Sequence, residues 1–159
     1  MSARKGILAV DDTLAALKLL TDILTQEGYA VRPASSGEQA LASVFTELPE
    51  LILLDVKMPG MDGFEVCRRL KADPAAREIP VLFLSASTDL EERVKGFELG
   101  ATDFIAKPFQ RDELLARVRT HLELSRFRTH LETLVEERTE ELKKANEKLQ
   151  AELGERLKA

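Results

Sequence analysis

The chain has 159 residues, 44% hydrophobic and 32% charged, which is enough to bury the core of one ordinary domain and fits a soluble globular protein with a charge-rich segment. Net charge is −5, with 15 basic and 19 acidic residues up to residue 120 and 8 and 9 beyond, so neither part carries the basic surplus that nucleic-acid phosphates attract. A single cysteine, Cys67, excludes an internal disulfide, no apolar stretch nears the roughly 18 residues of a membrane span, and Met1-Ser2-Ala3-Arg4-Lys5 leaves no room for a signal peptide, so a cytoplasmic protein is expected.

The first predicted strand, Gly6-Ile7-Leu8-Ala9-Val10, runs straight into Asp11-Asp12. A helix follows, with Leu14, Leu17, Ile23 and Leu24 on one face and Gly28 placed to stop it. Tyr29 to Ala34 reads as a short second strand. Ser35-Ser36-Gly37-Glu38 has capping-box spacing and opens a second helix to about Thr46. The third strand, Leu51-Ile52-Leu53-Leu54, runs into Asp55. Asp62-Gly63-Phe64-Glu65 opens a third helix that ends before Asp73-Pro74. The fourth strand, Pro80-Val81-Leu82-Phe83-Leu84, runs into Ser85. Thr88-Asp89-Leu90-Glu91 is a further box, and its helix is expected to stop at Gly100. A last strand, Phe104-Ile105-Ala106, meets Lys107-Pro108.

Short all-apolar runs are what strands look like when both faces of a parallel sheet are covered. Five strand-helix alternations therefore predict an α/β fold, a doubly wound five-stranded parallel sheet with helices on both faces. In such sheets sites form at the carboxyl ends of strands. Asp11, Asp12, Asp55, Ser85 and Lys107 would then meet at one edge. Three carboxylates held that closely repel one another, and a divalent cation relieves the repulsion. Magnesium suits the set, because it needs only one or two carboxylates and keeps several waters. Lys107 adds positive charge, Ser85 offers a hydroxyl, and Asp55 is placed to be an attacking oxygen in phosphoryl transfer.

These segments resemble the receiver domain of bacterial two-component response regulators. The resemblance rests on Ile7 to Asp12, on Leu53-Leu54-Asp55-Val56-Lys57-Met58-Pro59-Gly60-Met61-Asp62-Gly63, on Leu84-Ser85-Ala86, on Gly100 to Phe104 and on Lys107-Pro108-Phe109; it covers about residues 4–121. It implies a flavodoxin-like strand order 2-1-3-4-5. It also implies that Asp55 is the phosphoacceptor, that Asp12 ligates magnesium directly and Asp11 mainly through water, and that the backbone carbonyl of Lys57 completes the protein ligands. Ser85 resembles the switch hydroxyl and Phe104 the switch aromatic, which packs inward in the active state. Lys107 is expected to pair with phosphoryl oxygens, through a cis bond to Pro108. The implied phosphodonor is a histidine kinase or a phosphotransfer protein.

From Asp112 to Leu153 there is neither proline nor glycine. Helix to the end would give 48 residues and about 72 Å at 1.5 Å each. Leu124, Phe127, Leu131, Val135, Leu142, Ala145, Leu149, Leu153 and Leu157 form a narrow stripe, with Arg138 at one position. Its steps average about 3.67 residues, close to an eleven-residue repeat, which predicts a nearly straight coiled coil. We therefore expect a receiver over 1–121, a dimerising signalling helix over 122–159, and a missing downstream module. A sensor histidine kinase is the first expectation for that module and a diguanylate cyclase the second; a stand-alone adaptor is the alternative. This chain alone is not expected to be a turnover enzyme. An aspartate-nucleophile phosphohydrolase would need a cap or pocket for which there are no residues, and a flavin phosphate would be repelled by Asp11-Asp12. His121 and His130, each followed by Leu-Glu, read as surface helix residues, and Cys67 as a small core residue.

Overall fold

The computed structural model describes residues 6–158. The expectation placed on Met1 to Lys5 lies outside these. The chain divides into two compact units, 1–122 and 123–159.

The first unit holds strands β1 (Ile7–Val10), β2 (Val31–Ala34), β3 (Leu51–Asp55), β4 (Val81–Ser85) and β5 (Asp103–Ala106). They alternate with helices α1 (Leu14–Gln26), α2 (Gly37–Thr46), α3 (Gly63–Ala72) and α4 (Leu90–Glu98). The fifth helix, α5 (Arg111–Lys158), begins in this unit and continues through the second. All strands pair in parallel in the order β2-β1-β3-β4-β5, as expected.

The period-2 alternation of a strand assigns each apolar run to two cores. Leu8, Val10, Ile52, Leu54, Val81, Phe83 and Phe104 pack on one face against Ala40 and Val44 of α2 and Val66, Cys67 and Leu70 of α3. Ile7, Ala9, Leu51, Leu53, Leu82, Leu84 and Ile105 pack on the other against α1 and against Leu114, Val118 and Leu122 of α5. With both faces covered, β1, β3 and β4 have no polar side, which is why they read as unbroken apolar runs, whereas the edge strand β2 carries Arg32 and is only partly buried. Pro33 is tolerated because β2 is an edge strand.

Several local expectations shift. The buried face of α1 is Leu17, Leu20, Ile23 and Leu24, whereas Leu14 is exposed. Strand β2 begins at Val31 rather than Tyr29. The cap of α2 is Ser36, whose hydroxyl accepts from the Gln39 N–H, while the Gln39 carbonyl accepts from Ser35. The cap of α4 is Asp89, not Thr88. Helix α3 starts at its Asp62 cap as expected, and Gly28 and Gly100 follow α1 and α4 with positive φ. Helix α5 runs on through Gly154.

His121 corrects the reading of it as a plain surface residue. Its Nε2 lies 2.9 Å from Asp103 Oδ2, the same oxygen that accepts from Arg117 at 2.7 Å. The other Asp103 oxygen accepts from the Phe104 N–H. Burial alone would raise the Asp103 pKa, but the bonds to His121, Arg117 and the Phe104 backbone outweigh it and hold the carboxyl below its usual value. One carboxylate thus ties the start of β5 to the last packed turns of α5. His130 is exposed, as read from sequence, and Cys67 is fully buried, with burial pushing its thiol pKa up.

Candidate functional site

The strand order decides where the reactive side chains fall. Asp11 follows the last residue of β1, Asp55 closes β3, Ser85 closes β4 and Lys107 follows β5. The registers Val10↔Leu54, Asp55↔Leu84 and Ser85↔Ala106 bring these ends level. Asp55 lies centrally, since β3 sits between β1 and β4.

Asp11, Asp12 and Asp55 each offer a carboxylate oxygen, and the three lie within 4.8 Å of one another. Asp11 and Asp55 are buried and Asp12 is exposed. Lys107 Nζ donates to Asp11 Oδ2 at 2.8 Å and lies 3.3 Å from Asp55 Oδ1. Asp11 also uses Oδ1 to accept from the Thr13 N–H, which fixes the turn after β1. The Lys107–Pro108 bond is cis. The Lys57 side chain is exposed beside this edge.

The charges are unequally satisfied. Burial pushes the Asp55 carboxyl up; Lys107 opposes this, while Asp11 and then Asp12 add to the rise, leaving a pKa of about 6. Burial would lower the pKa of Lys107, but its bond to Asp11 and the charge on Asp55 hold it above its ordinary value. The two shifts describe one imbalance: two carboxylates share one ammonium, and the shorter distance belongs to Asp11. Asp55 is left the under-compensated charge.

That imbalance has a measurable sign. A folded pKa above the unfolded one means the native state holds the proton more tightly, so stability falls as pH rises from about 4 through about 6. At neutral pH the ionised Asp55 costs the metal-free fold on the order of 2 kcal/mol. Asp55→Asn is therefore expected to be more stable than the parent at pH 7 by about 1–2 kcal/mol in chelator. The gain should shrink toward pH 4. Urea unfolding at both pH values checks this, and a variant less stable at pH 7 would contradict it.

The outer part of the site involves residues that sequence reasoning missed. The Ser85 hydroxyl donates to Glu92 Oε1 at 3.1 Å and accepts from the Ser87 N–H at 3.1 Å. Phe104 points inward and is buried, its ring 5.3 Å from those of both Phe83 and Phe97. Gly96 makes that position possible, because a Cβ there would stand 2.5 Å from the ring. The Arg93 guanidinium lies 5.7 Å from the ring centre. Spacing alone carried no signal for Glu92 or Arg93 in an ordinary charged helix. Gly96, by contrast, sits mid-helix, where glycine costs about 1 kcal/mol and so invites a packing reason.

Fold and site together define a doubly wound module whose strand-end edge can hold a hard cation beside an anionic group. Residues 7–119 match the response regulator receiver domain, and the chain belongs to that family, the receivers of two-component signalling. It is 49% identical over 134 residues to the response regulator PleD of Caulobacter vibrioides, covering 84% of this chain and 28% of PleD. It is 44% identical over 119 residues to the DNA-binding response regulator MtrA of Mycobacterium tuberculosis, covering 75% of this chain and 51% of MtrA. The solved receiver domain of a signal transduction histidine kinase from Syntrophus aciditrophicus superposes with a TM-score of 0.70 at 37% identity, covering 75% of this chain and 90% of that one. The chain thus spans between about a quarter and a half of the two curated relatives. A match of 134 residues cannot fit inside 7–119, and six residues precede Ile7, so the likeness to PleD continues along α5. Receiver domains typically bind magnesium, and the oxygen-only donor set of Asp11, Asp12 and Asp55 fits such a cation. Among the described residues no helix is long and apolar enough to cross a membrane.

Proposed function

We propose that this receiver accepts a phosphoryl group on Asp55 from a histidine kinase or phosphotransfer protein and passes the change along α5. The observation that carries this is Asp55 at the end of β3, clustered with the Asp11 and Asp12 carboxylates and sharing the Lys107 ammonium with Asp11. A pKa of about 6 leaves Asp55 roughly nine-tenths ionised at pH 7, so the attacking oxygen is available. That oxygen forms the new O–P bond as the donor's bond to phosphorus breaks. Lys107 is near enough to balance charge on the phosphoryl oxygens, and Ser85 supplies a hydroxyl donor. Asp11, Asp12, Asp55 and the Lys57 backbone carbonyl would hold magnesium. When bound, magnesium neutralises the crowded carboxylates and the phosphoryl oxygens. Ser85 and Phe104 are the switch pair.

The domain boundary belongs to the same proposal, with the receiver over 1–121 and a signalling helix over 122–159. Leu124, Phe127, Leu131, Val135, Leu142, Leu149, Leu153 and Leu157 are all exposed on α5, which supports pairing with a second copy. We read the paired helix as signalling to a downstream module, a sensor histidine kinase first and a diguanylate cyclase second. The open reading frame beyond Ala159 distinguishes these.

The test is modification by a small phosphodonor or beryllofluoride, with and without magnesium, in the parent and in Asp55→Asn. Metal-dependent modification lost in the variant is expected; equal modification of the two would overturn the assignment. Lys107→Ala should uncouple rather than block: the nucleophile and the acidic cluster remain, but the ammonium that senses the phosphoryl group is gone. It is expected to take up the group while the Ser85 and Phe104 amide resonances stay near their unmodified positions. Parent-like shifts in the variant would contradict this.

A further inference from the structure

The Ser85 hydroxyl has one hydrogen to give. Two acceptors are in reach: Glu92 Oε1 at 3.1 Å and the Ser87 carbonyl at 3.5 Å. The first is an ordinary bond to a carboxylate, and the second is at the limit of bonding. The hydrogen therefore belongs to Glu92, on the first turn of α4. Ser85 is buried and its oxygen is pinned from the other side by the Ser87 N–H, so the group is not free to serve two acceptors. Glu92 is half-buried and also lines an open depression of about 470 Å³ with Val56, Lys57, Met58 and Asp62, beside the acidic edge. Phe104 has no hydroxyl and already points inward. The bond from Ser85 to Glu92 is the contact that must break before a phosphoryl oxygen can take the hydroxyl hydrogen.

We propose that Glu92 is a positioning residue that holds the Ser85 hydroxyl on α4 in the unmodified receiver and sets how readily a group on Asp55 captures it. This rests on the reading of Asp55 as phosphoacceptor and Ser85 as switch hydroxyl, and adds what opposes them. The unmodified state gains the bond to Glu92 and the modified state forgoes it. Removing the carboxylate raises the unmodified state alone and favours capture. The same contact joins β4 to α4, so its release also frees the first turn of α4.

The experiment titrates the full chain with beryllofluoride in magnesium and reads the Ser85 and Ser87 amides by NMR. The variants are Glu92→Ala, Glu92→Gln, Ser85→Ala and the Ser85→Ala/Glu92→Ala double variant. Glu92→Ala is expected to bind the mimic roughly three- to tenfold more tightly, less than a fully buried hydrogen bond to a charged group would give, because Glu92 is partly exposed. Glu92→Gln keeps an oxygen acceptor and should stay closer to the parent. In the Ser85→Ala background the Glu92→Ala gain should vanish. The Ser85 amide of unmodified Glu92→Ala should also move toward its mimic-bound position. Equal tightening by Ala and Gln that persists without Ser85 would mean that only the charge of Glu92 matters, and would overturn the proposal. Parent-like affinity in Glu92→Ala would overturn it as well. Failure of the parent itself to respond, or a response surviving in Asp55→Asn, would instead remove the phosphoacceptor reading, and this inference with it.

Discussion

Cutting the chain after residue 122 is expected to turn a dimer into a folded monomer. The receiver's own core takes Leu114, Val118 and Leu122 from α5, with Leu115 partly buried against it. Beyond them the large apolar residues of the helix lie open, with Val135 at 63%, Leu142 at 70% and Leu149 at 63% exposed. Burying one such leucine is worth about 1.5–3 kcal/mol, so a stripe of them outweighs the cost of pairing two helices. Parallel pairing would deliver one signal to two identical downstream modules at the same end. Replacing Leu142 and Leu149 together with Asp removes two apolar side chains and puts four carboxylates in the seam. That should weaken association by roughly a thousandfold or more, at 1.4 kcal/mol per factor of ten. Sedimentation of the parent, the truncation and the double variant at matched concentration checks this. A monomeric parent at tens of micromolar, or a truncated receiver that dimerises equally well, would contradict it.

Gly63→Ala is expected to damage the receiver more than any exposed substitution near the site. An added Cβ would stand 2.3 Å from the Asp55 carbonyl oxygen and 3.0 Å from Val56 Cα. These are backbone atoms of the strand that carries Asp55, so no side chain can swing aside. The Gly63 N–H also donates to the Val56 carbonyl at 2.8 Å, locking the start of α3 onto the end of β3. Relief requires α3 to back away from the sheet, and Val66, Cys67 and Leu70 would leave the core with it. Overpacking of this kind costs on the order of 3 kcal/mol. Urea unfolding should show that loss, together with weakened response to a phosphoryl mimic. A variant as stable as the parent would mean the approach of α3 to Asp55 is looser than described.

The strands were legible because a sheet covered on both faces leaves no polar side to interrupt Leu51 to Leu54 or Val81 to Leu84. The strand-end residues were legible for the same reason, since a polar residue that breaks such a run must lie at the edge. Capping residues were placed one position early at Ser35 and Thr88, because Ser-Ser and Thr-Asp doublets each offer two usable caps and only the backbone selects one. Leu14 was misassigned because spacing gives a face of a helix but not where the sheet beneath it ends. The partner of His121 was hidden: Asp103 is 18 residues away and on another element. Glu92 was hidden too, since its role depends on the loop after β4, which brings α4 back over Ser85. The resemblance, rather than spacing, supplied the order of the strands and the cis bond before Pro108, and both are found in the structure.

The most direct test is to trap the acyl phosphate where it forms. Protein treated with a small phosphodonor in magnesium is reduced with borohydride, which converts an aspartyl phosphate to homoserine, and then digested for peptide mass mapping. Homoserine is expected at position 55, dependent on magnesium and absent from Asp55→Asn. Homoserine at Asp11 or Asp12, or at position 55 to the same extent in chelator, would contradict the account.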